Sequence, residues 1–152
     1  MKPRVLSLLL LSATLALATG TVRAQTGGTE ISYYALSLFP VDVPNLDPMN
    51  DRIMKENIYP DITPRSHVEV TGYTDVLGLE DRNQRLSEQR ADYVVRKIKA
   101  AKGPKGYASL TGRGVGETAP LYTNMLPEGR FYNRTVRVKI VTPPAPRDEG
   151  TK

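Results

Sequence analysis

The apolar positions of this chain follow two different periods. In "SHVEVTG", Val68 and Val70 alternate with His67, Glu69 and Thr71, so an extended segment has one apolar and one polar face. "RTVRVKIVT" repeats this, with Val136, Val138 and Ile140 on one side and Arg137 and Lys139 on the other. Both patterns predict half-buried strands. From Glu80 to about Ala101 the spacing becomes helical: Leu86, Ala91, Val94, Val95 and Ile98 form one stripe. Lys97, Lys99 and Lys102 suit the negative end of that helix dipole, and Gly103 and Pro104 terminate it.

The remaining segments are less regular. "ISYYALSLFPVDV", Ile31 to Val43, is rich in β-branched and aromatic residues and predicts a strand, which Pro40 ends or marks as an exposed edge. Asp47 before Pro48 has the form of an N-cap followed by proline in the first turn. It predicts a helix with Met49, Ile53, Met54 and Ile58 toward the core, stopped by Pro60. Tyr107 to Thr111 predicts a strand running into the glycine-rich "GRGVGE", and "LYTNMLPEGRFYN" reads as irregular. The order βαβαββ fits an α+β fold, a two-layer sandwich with a mixed sheet and helices on one face.

Residues 1–24 read as an export signal, with Lys2 and Arg4 before an apolar run and Val22 and Ala24 at the positions favoured for cleavage before Gln25. The expected organisation is then a flexible N-terminus at 25–30, a domain at 31–142 and a disordered tail at 143–152. Of the chain's 21 basic residues, Lys2, Arg4 and Arg23 fall in the leader, so 18 basic and 16 acidic residues, a net +2, follow it. So mild a balance, with no long basic stripe, argues against a nucleic-acid partner and for a periplasmic or extracellular module.

Catalysis has little to draw on. His67 is the one histidine, cysteine is absent, and Ser87 lies inside a predicted helix with no histidine motif beside it. The glycines of "GRGVGE" match neither a phosphate-binding loop nor a dinucleotide fingerprint, and no acid and histidine cluster suggests a metal. The expectation is a non-enzyme without cofactors.

One stretch stands out. "GYTDVLGLEDRNQRLSEQRA" runs from a strand end to a helix interior and carries Asp75 at the first and Arg90 in the second. Read alone, these residues suit an aspartate that caps a turn and an arginine that is its surface partner. Their company changes the reading. Gly72, Thr74, Asp75, Gly78, Asn83, Leu86, Ser87, Arg90 and Ala91 are followed by Gly114, Gly116, Glu117 and Pro120, and then by Gly129, Arg130, Asn133, Arg134 and Val136. In that order and spacing they resemble the OmpA-like domain, the peptidoglycan-binding module of OmpA, Pal and MotB type envelope proteins, over about Tyr33 to Thr142.

The resemblance implies the fold read above and a ligand, the peptide stem of peptidoglycan anchored by meso-diaminopimelate. It assigns Asp75 to the ammonium and Arg90 to the carboxylate of that residue, and suggests that the two pair with each other when no ligand is bound. Thr74 fixes the loop backbone. Asn83 either bonds the stem or braces the Asp75 loop. Arg134 either contacts ligand or braces the Gly112–Gly116 loop through Glu117. Tyr73 and Phe39 are candidates for an apolar wall, with core packing the plainer role for Phe39. The implied location is the periplasm, against the wall and the outer membrane, with outer-membrane or periplasmic envelope proteins as possible partners. The alternative is a protein-interaction module that keeps the fold without wall binding. The sequence departs from the family at Tyr73, where histidine is common, and at Thr135 and Arg137, where a second arginine and an acid are usual.

Overall fold

The computed structural model describes residues 22–26, 28–37, 39, 45 and 47–146. Five strands form one sheet: β1 (Val22–Thr26), β2 (Thr29–Leu36), β3 (His67–Gly72), β4 (Ser109–Gly114) and β5 (Val136–Thr142), in the order β1-β2-β5-β3-β4. Only β3 and β4 are parallel, and the 23-residue helix α3 (Glu80–Lys102) is their crossover. The last strand in sequence enters the middle of the sheet, antiparallel to both β2 and β3. The mixed sheet is the expected one, and its central position for β5 is a tertiary result.

The alternation read from the sequence sets the register. Val136 and Val138 stand opposite Leu36 and Tyr34 on one side and Gly72 and Val70 on the other. These side chains share the face covered by helices. With Val94, Ile98, Met54, Ile58, Ile62 and Phe39 they form the core.

Several elements differ from the sequence reading. The segment after Asp47 begins as expected, with the Asp47 carboxylate accepting from Asn50 N at 2.8 Å. Met49, however, is 61% exposed, while Asn50 is buried. Asn50 is inside because its amide donates to Ser37 O at 2.6 Å, tying the helix to the chain leaving β2. Pro60 does not stop the helix. The chain runs from α1 (Pro48–Ile53) through a π-helical turn (Met54–Ile58) into α2 (Tyr59–Asp61). The wider turn, closed by Tyr59 N to Met54 O, makes room for a proline ring that an α-turn would drive into the carbonyl four residues back.

The strand from Ile31 ends at Leu36, and Phe39 turns into the core; residues 38 and 40–43 of the expected strand lie outside the described residues. β4 continues through Gly114, beyond the expected end at Thr111. Part of "LYTNMLPEGRFYN" is helical, as α4 (Pro127–Asn133), opened by a proline at its N-terminus. The expected flexible segment at 25–30 belongs to a hairpin. β1 pairs with β2 from Val22↔Tyr33 to Thr26↔Thr29, closed by Gly28 at φ 83°, a conformation glycine adopts without strain. The proposed leader falls outside the described residues up to residue 21, but its last three residues, Val22 to Ala24, stand in β1, so cleavage before Gln25 would remove most of that strand; the tail falls outside from residue 147.

Candidate functional site

The site forms at the C-terminal end of β3, where α3 presses closely on the sheet. A Cβ on Gly72 would lie 2.1 Å from Ser87 O, and one on Gly114 would lie 2.3 Å from Ser87 Oγ. Only hydrogen at these positions lets the helix backbone approach so near. Ser87 uses the contact: its hydroxyl donates to Gln84 O at 2.7 Å and accepts from Gly116 N at 2.8 Å. The start of α3 is thereby fastened to the loop after β4.

The loop after β3 is held from both sides. Tyr73 N donates to Thr135 O at 2.9 Å and Thr74 N to Gly116 O at 3.0 Å. Gly78, at φ 108°, then turns the chain toward α3. The Asn83 amide closes this loop, donating to Asp75 O at 3.2 Å, Leu77 O at 3.1 Å and Glu117 Oε2 at 2.5 Å. These bonds are the bracing expected of Asn83.

Asp75 is 5% exposed. One carboxylate oxygen accepts from Leu77 N at 3.2 Å, which is a turn-capping contact, and the other from Arg134 Nη1 at 2.7 Å. The sequence reading paired Asp75 with Arg90; the structure pairs its carboxylate with Arg134. Nor does Arg134 brace the β4 loop through Glu117, whose carboxylate is met by Asn83. The reason is positional. Arg134 stands just before β5, and β5 lies next to β3, so its side chain arrives beside the end of β3.

Arg90 is 1% exposed and is the largest of the fully buried side chains. Its Nη1 lies 3.5 Å from Tyr73 O, and its guanidinium sits 4.9 Å from the Phe39 ring centroid. Phe39 is thus a core residue that does not line the cavity, and the cation rests on its π face. Thr74 is buried, and its hydroxyl is the one buried side-chain polar atom among the described residues without a hydrogen-bond partner.

These elements enclose a cavity of ≈ 40 Å³. Thr74, Asp75, Asn83, Arg90 and Arg134 all line it, together with Leu77 and Leu86. The structure therefore brings the five candidate residues to one place. Sequence reasoning did not find the parts played by Ser87, which seats the helix, and Glu117, which anchors Asn83. Both lay within the recognised motifs, but neither carries a pattern that states its partner. No group of three histidine, cysteine or acidic residues able to hold a metal occurs among the described residues.

An acid and a buried guanidinium around a small cavity, on a sheet with β5 inserted antiparallel, define a binding module rather than a catalytic centre. The sequence profile of the OmpA family matches residues 38–134, and the chain belongs to that family. Peptidoglycan-binding protein ArfA of Mycobacterium tuberculosis is 34% identical over 124 residues, covering 78% of this chain and 34% of that protein. Outer membrane porin F of Pseudomonas fluorescens is 33% identical over 97 residues, covering 58% of this chain and 29% of that protein. The chain thus spans about a third of the length of these relatives. Among solved structures, the periplasmic domain of Helicobacter pylori MotB shares the fold at TM-score 0.61 and 23% identity, over 90% of each chain. A cell wall anchor of the type VI secretion system from Pseudomonas aeruginosa does so at TM-score 0.62 and 22% identity, over 81% of this chain and 88% of that one. OmpA-like domains are non-catalytic modules that bind peptidoglycan and organise the envelope.

Proposed function

We propose that this protein binds peptidoglycan non-covalently from the periplasm, by holding the meso-diaminopimelate side chain of the peptide stem at Asp75 and Arg90. The observation that carries this reading is the chemistry of one small cavity. An acid and a base face it together, beside a buried hydroxyl that has no hydrogen-bond partner among the described residues. Diaminopimelate ends in an ammonium and a carboxylate on one carbon. The carboxylate suits the planar guanidinium of Arg90, which can donate two parallel hydrogen bonds. The ammonium suits Asp75, and the Thr74 hydroxyl completes the set. A cavity of ≈ 40 Å³ accepts such an end group and leaves the rest of the stem outside.

Arg134 occupies the Asp75 carboxylate in this structure, so an incoming ammonium shares or displaces that contact. Desolvation of both charges offsets part of the gain, and the net affinity rests on Asp75, Arg90 and Thr74 acting together. The relatives named for peptidoglycan binding and wall anchoring make the same role natural here. Export by residues 1–24 and association with other envelope proteins belong to this proposal.

The test is calorimetric titration with a muropeptide containing diaminopimelate, beside one containing lysine in its place. Binding that prefers the first and disappears in a folded Asp75→Asn variant is the expected result. Absence of binding by the folded wild type would remove the reading and favour a protein-interaction module built on the same fold.

A further inference from the structure

A second concavity lies at the same end of the sheet. It measures ≈ 430 Å³, against ≈ 40 Å³ for the cavity at Asp75, and is within the range of small-molecule sites, about 300–1,000 Å³. Its walls are Tyr33 and Ser37 from β2 and the residue after it, Thr135 and Arg137 from the start of β5, and Tyr122 and Tyr132 from the segment before. The pairing of Leu36 with Val136, and of Val136 with Gly72, puts this groove and the Asp75 loop at one end of the sheet, with Tyr33 and Arg137 on the face away from the helices.

The rings are held in place from beneath. Asn133 is fully buried, and its side chain makes four hydrogen bonds to the loop that carries Tyr122. Its Oδ1 accepts from Leu121 N at 3.0 Å and Tyr122 N at 2.9 Å; its Nδ2 donates to Tyr122 O at 2.9 Å and Asn124 Oδ1 at 2.8 Å. The result is a pair of half-exposed rings, Tyr122 and Tyr132, with centroids 5.4 Å apart. Across the groove the Arg137 guanidinium lies 5.3 Å from the Tyr33 ring centroid. A buried amide network that fixes the backbone of a loop carrying an exposed ring also preorganises a surface.

A chain of side-chain contacts links the rim of the groove to the Asp75 site. Arg134, paired with Asp75 at 2.7 Å, has its guanidinium 5.5 Å from the Phe131 ring, and Phe131 meets Tyr132 edge to face at 5.4 Å. Three contacts thus join the small cavity to the larger groove.

We infer that this groove binds the amino-sugar strand of the wall polymer whose peptide stem is anchored at Asp75. The inference rests on the stem-binding reading for its geometry. Tyrosines offer flat apolar faces with polar rims, which match a sugar ring, apolar on its C–H face and polar around its edge. Arg137 supplies a donor for the acetamido carbonyl. A lipid or an amphipathic helix would want aliphatic walls, and Leu121 is the one large aliphatic residue here. The polymer joins stem to glycan covalently, so a stem held at Asp75 delivers its sugars to the same end of the sheet, and the two contacts add through their linkage.

The experiment titrates the full chain with three probes: a bare stem tripeptide containing diaminopimelate, the disaccharide carrying that tripeptide, and an N-acetylglucosamine oligosaccharide without a stem. Affinity is read by calorimetry, and tyrosine ring resonances by NMR. The disaccharide–stem should bind about tenfold more tightly than the bare stem and shift the ring signals of Tyr122 and Tyr132. Tyr132→Ala should abolish that increment while leaving bare-stem binding intact; Tyr132→Phe should keep it. Equal affinity for the two stem probes, or ring signals unmoved by both sugar-bearing probes, overturns the groove. Ring shifts with the oligosaccharide, lost in Tyr132→Ala, beside no binding of the bare stem would remove the Asp75 reading and leave the groove standing. Ring signals moved by an added envelope protein but by no sugar would assign the surface to a protein partner.

Discussion

Asp51 and Asp75 each sit against basic side chains, in very different surroundings. Asp51, on α1, meets Lys55 at 2.8 Å and Lys97 of α3 at 3.0 Å. Its carboxyl is held below the ordinary value, first by the hydrogen bond from Lys55 and then by that from Lys97. Asp75 meets Arg134 at 2.7 Å in a pocket that also contains Arg90. At Asp51 the bases are flexible, well hydrated ammonium groups, and the cluster ties two helices together. At Asp75 they are planar guanidinium groups, one of them fully buried on an aromatic ring, beside an unpartnered hydroxyl. The first arrangement is complete in itself. The second keeps unused hydrogen-bonding capacity under cover, which a protein tolerates where a ligand is to supply the missing partner.

The sharpest way to break the comparison is at the buried arginine. Arg90→Ala removes the largest fully buried side chain and leaves the Tyr73 carbonyl and the Phe39 face against a void. We expect a loss of about 2–4 kcal/mol in urea unfolding. A cost below about 1 kcal/mol would put Arg90 in the same class as the surface lysines.

Thr74→Val tests the unused capacity directly. It keeps the shape and removes a buried hydroxyl that has no partner, so stability should rise by about 1 kcal/mol. Binding of the muropeptide should weaken about tenfold in the same variant. Stabilisation together with unchanged binding would mean that the hydroxyl does not meet the ligand.

The smallest effect belongs to Asp51→Asn. Its carboxyl is lowered in the folded state, so its contribution is present above the ordinary carboxylate value of about 3.9 and fades as the pH falls through the lowered folded value. The Lys97 ammonium is raised by the same contact, and its share is lost only as the pH climbs past its ordinary range. At neutral pH the variant should lose about 0.5 kcal/mol, the scale of an exposed ion pair, and the difference should shrink as the pH is lowered into the acid range. Urea unfolding at neutral and acid pH checks this.

The five candidate residues were legible because motifs compress local geometry into fixed spacing. Thr74, Asp75 and Asn83 lie within ten positions of one another, and a strand, a glycine turn and a helix start carry them to one cavity. Arg134 is 59 residues from Asp75, and its choice of partner was misread, as was that of Asp75. No local pattern says which of two arginines reaches a carboxylate first. The tyrosine groove was not read at all. Tyr33 lies about a hundred residues before Tyr132, in a segment that looked irregular, and the Asn133 network that holds the tyrosine loop is invisible to periodicity.

By itself the sequence determined the alternation of β3 and β5, the stripe of α3 and the glycines at Gly72 and Gly103, because each depends on residues a few positions apart and on burial of one face. Tertiary structure alone decided that β5 inserts between β2 and β3, that Asn50 goes inside while Met49 stays out, and that Pro60 is carried over a π-turn. Those outcomes depend on which surfaces meet across the fold. A hydrogen bond such as Asn50 to Ser37 O, or a contact such as Arg90 on Phe39, has no energy until distant segments have already come together.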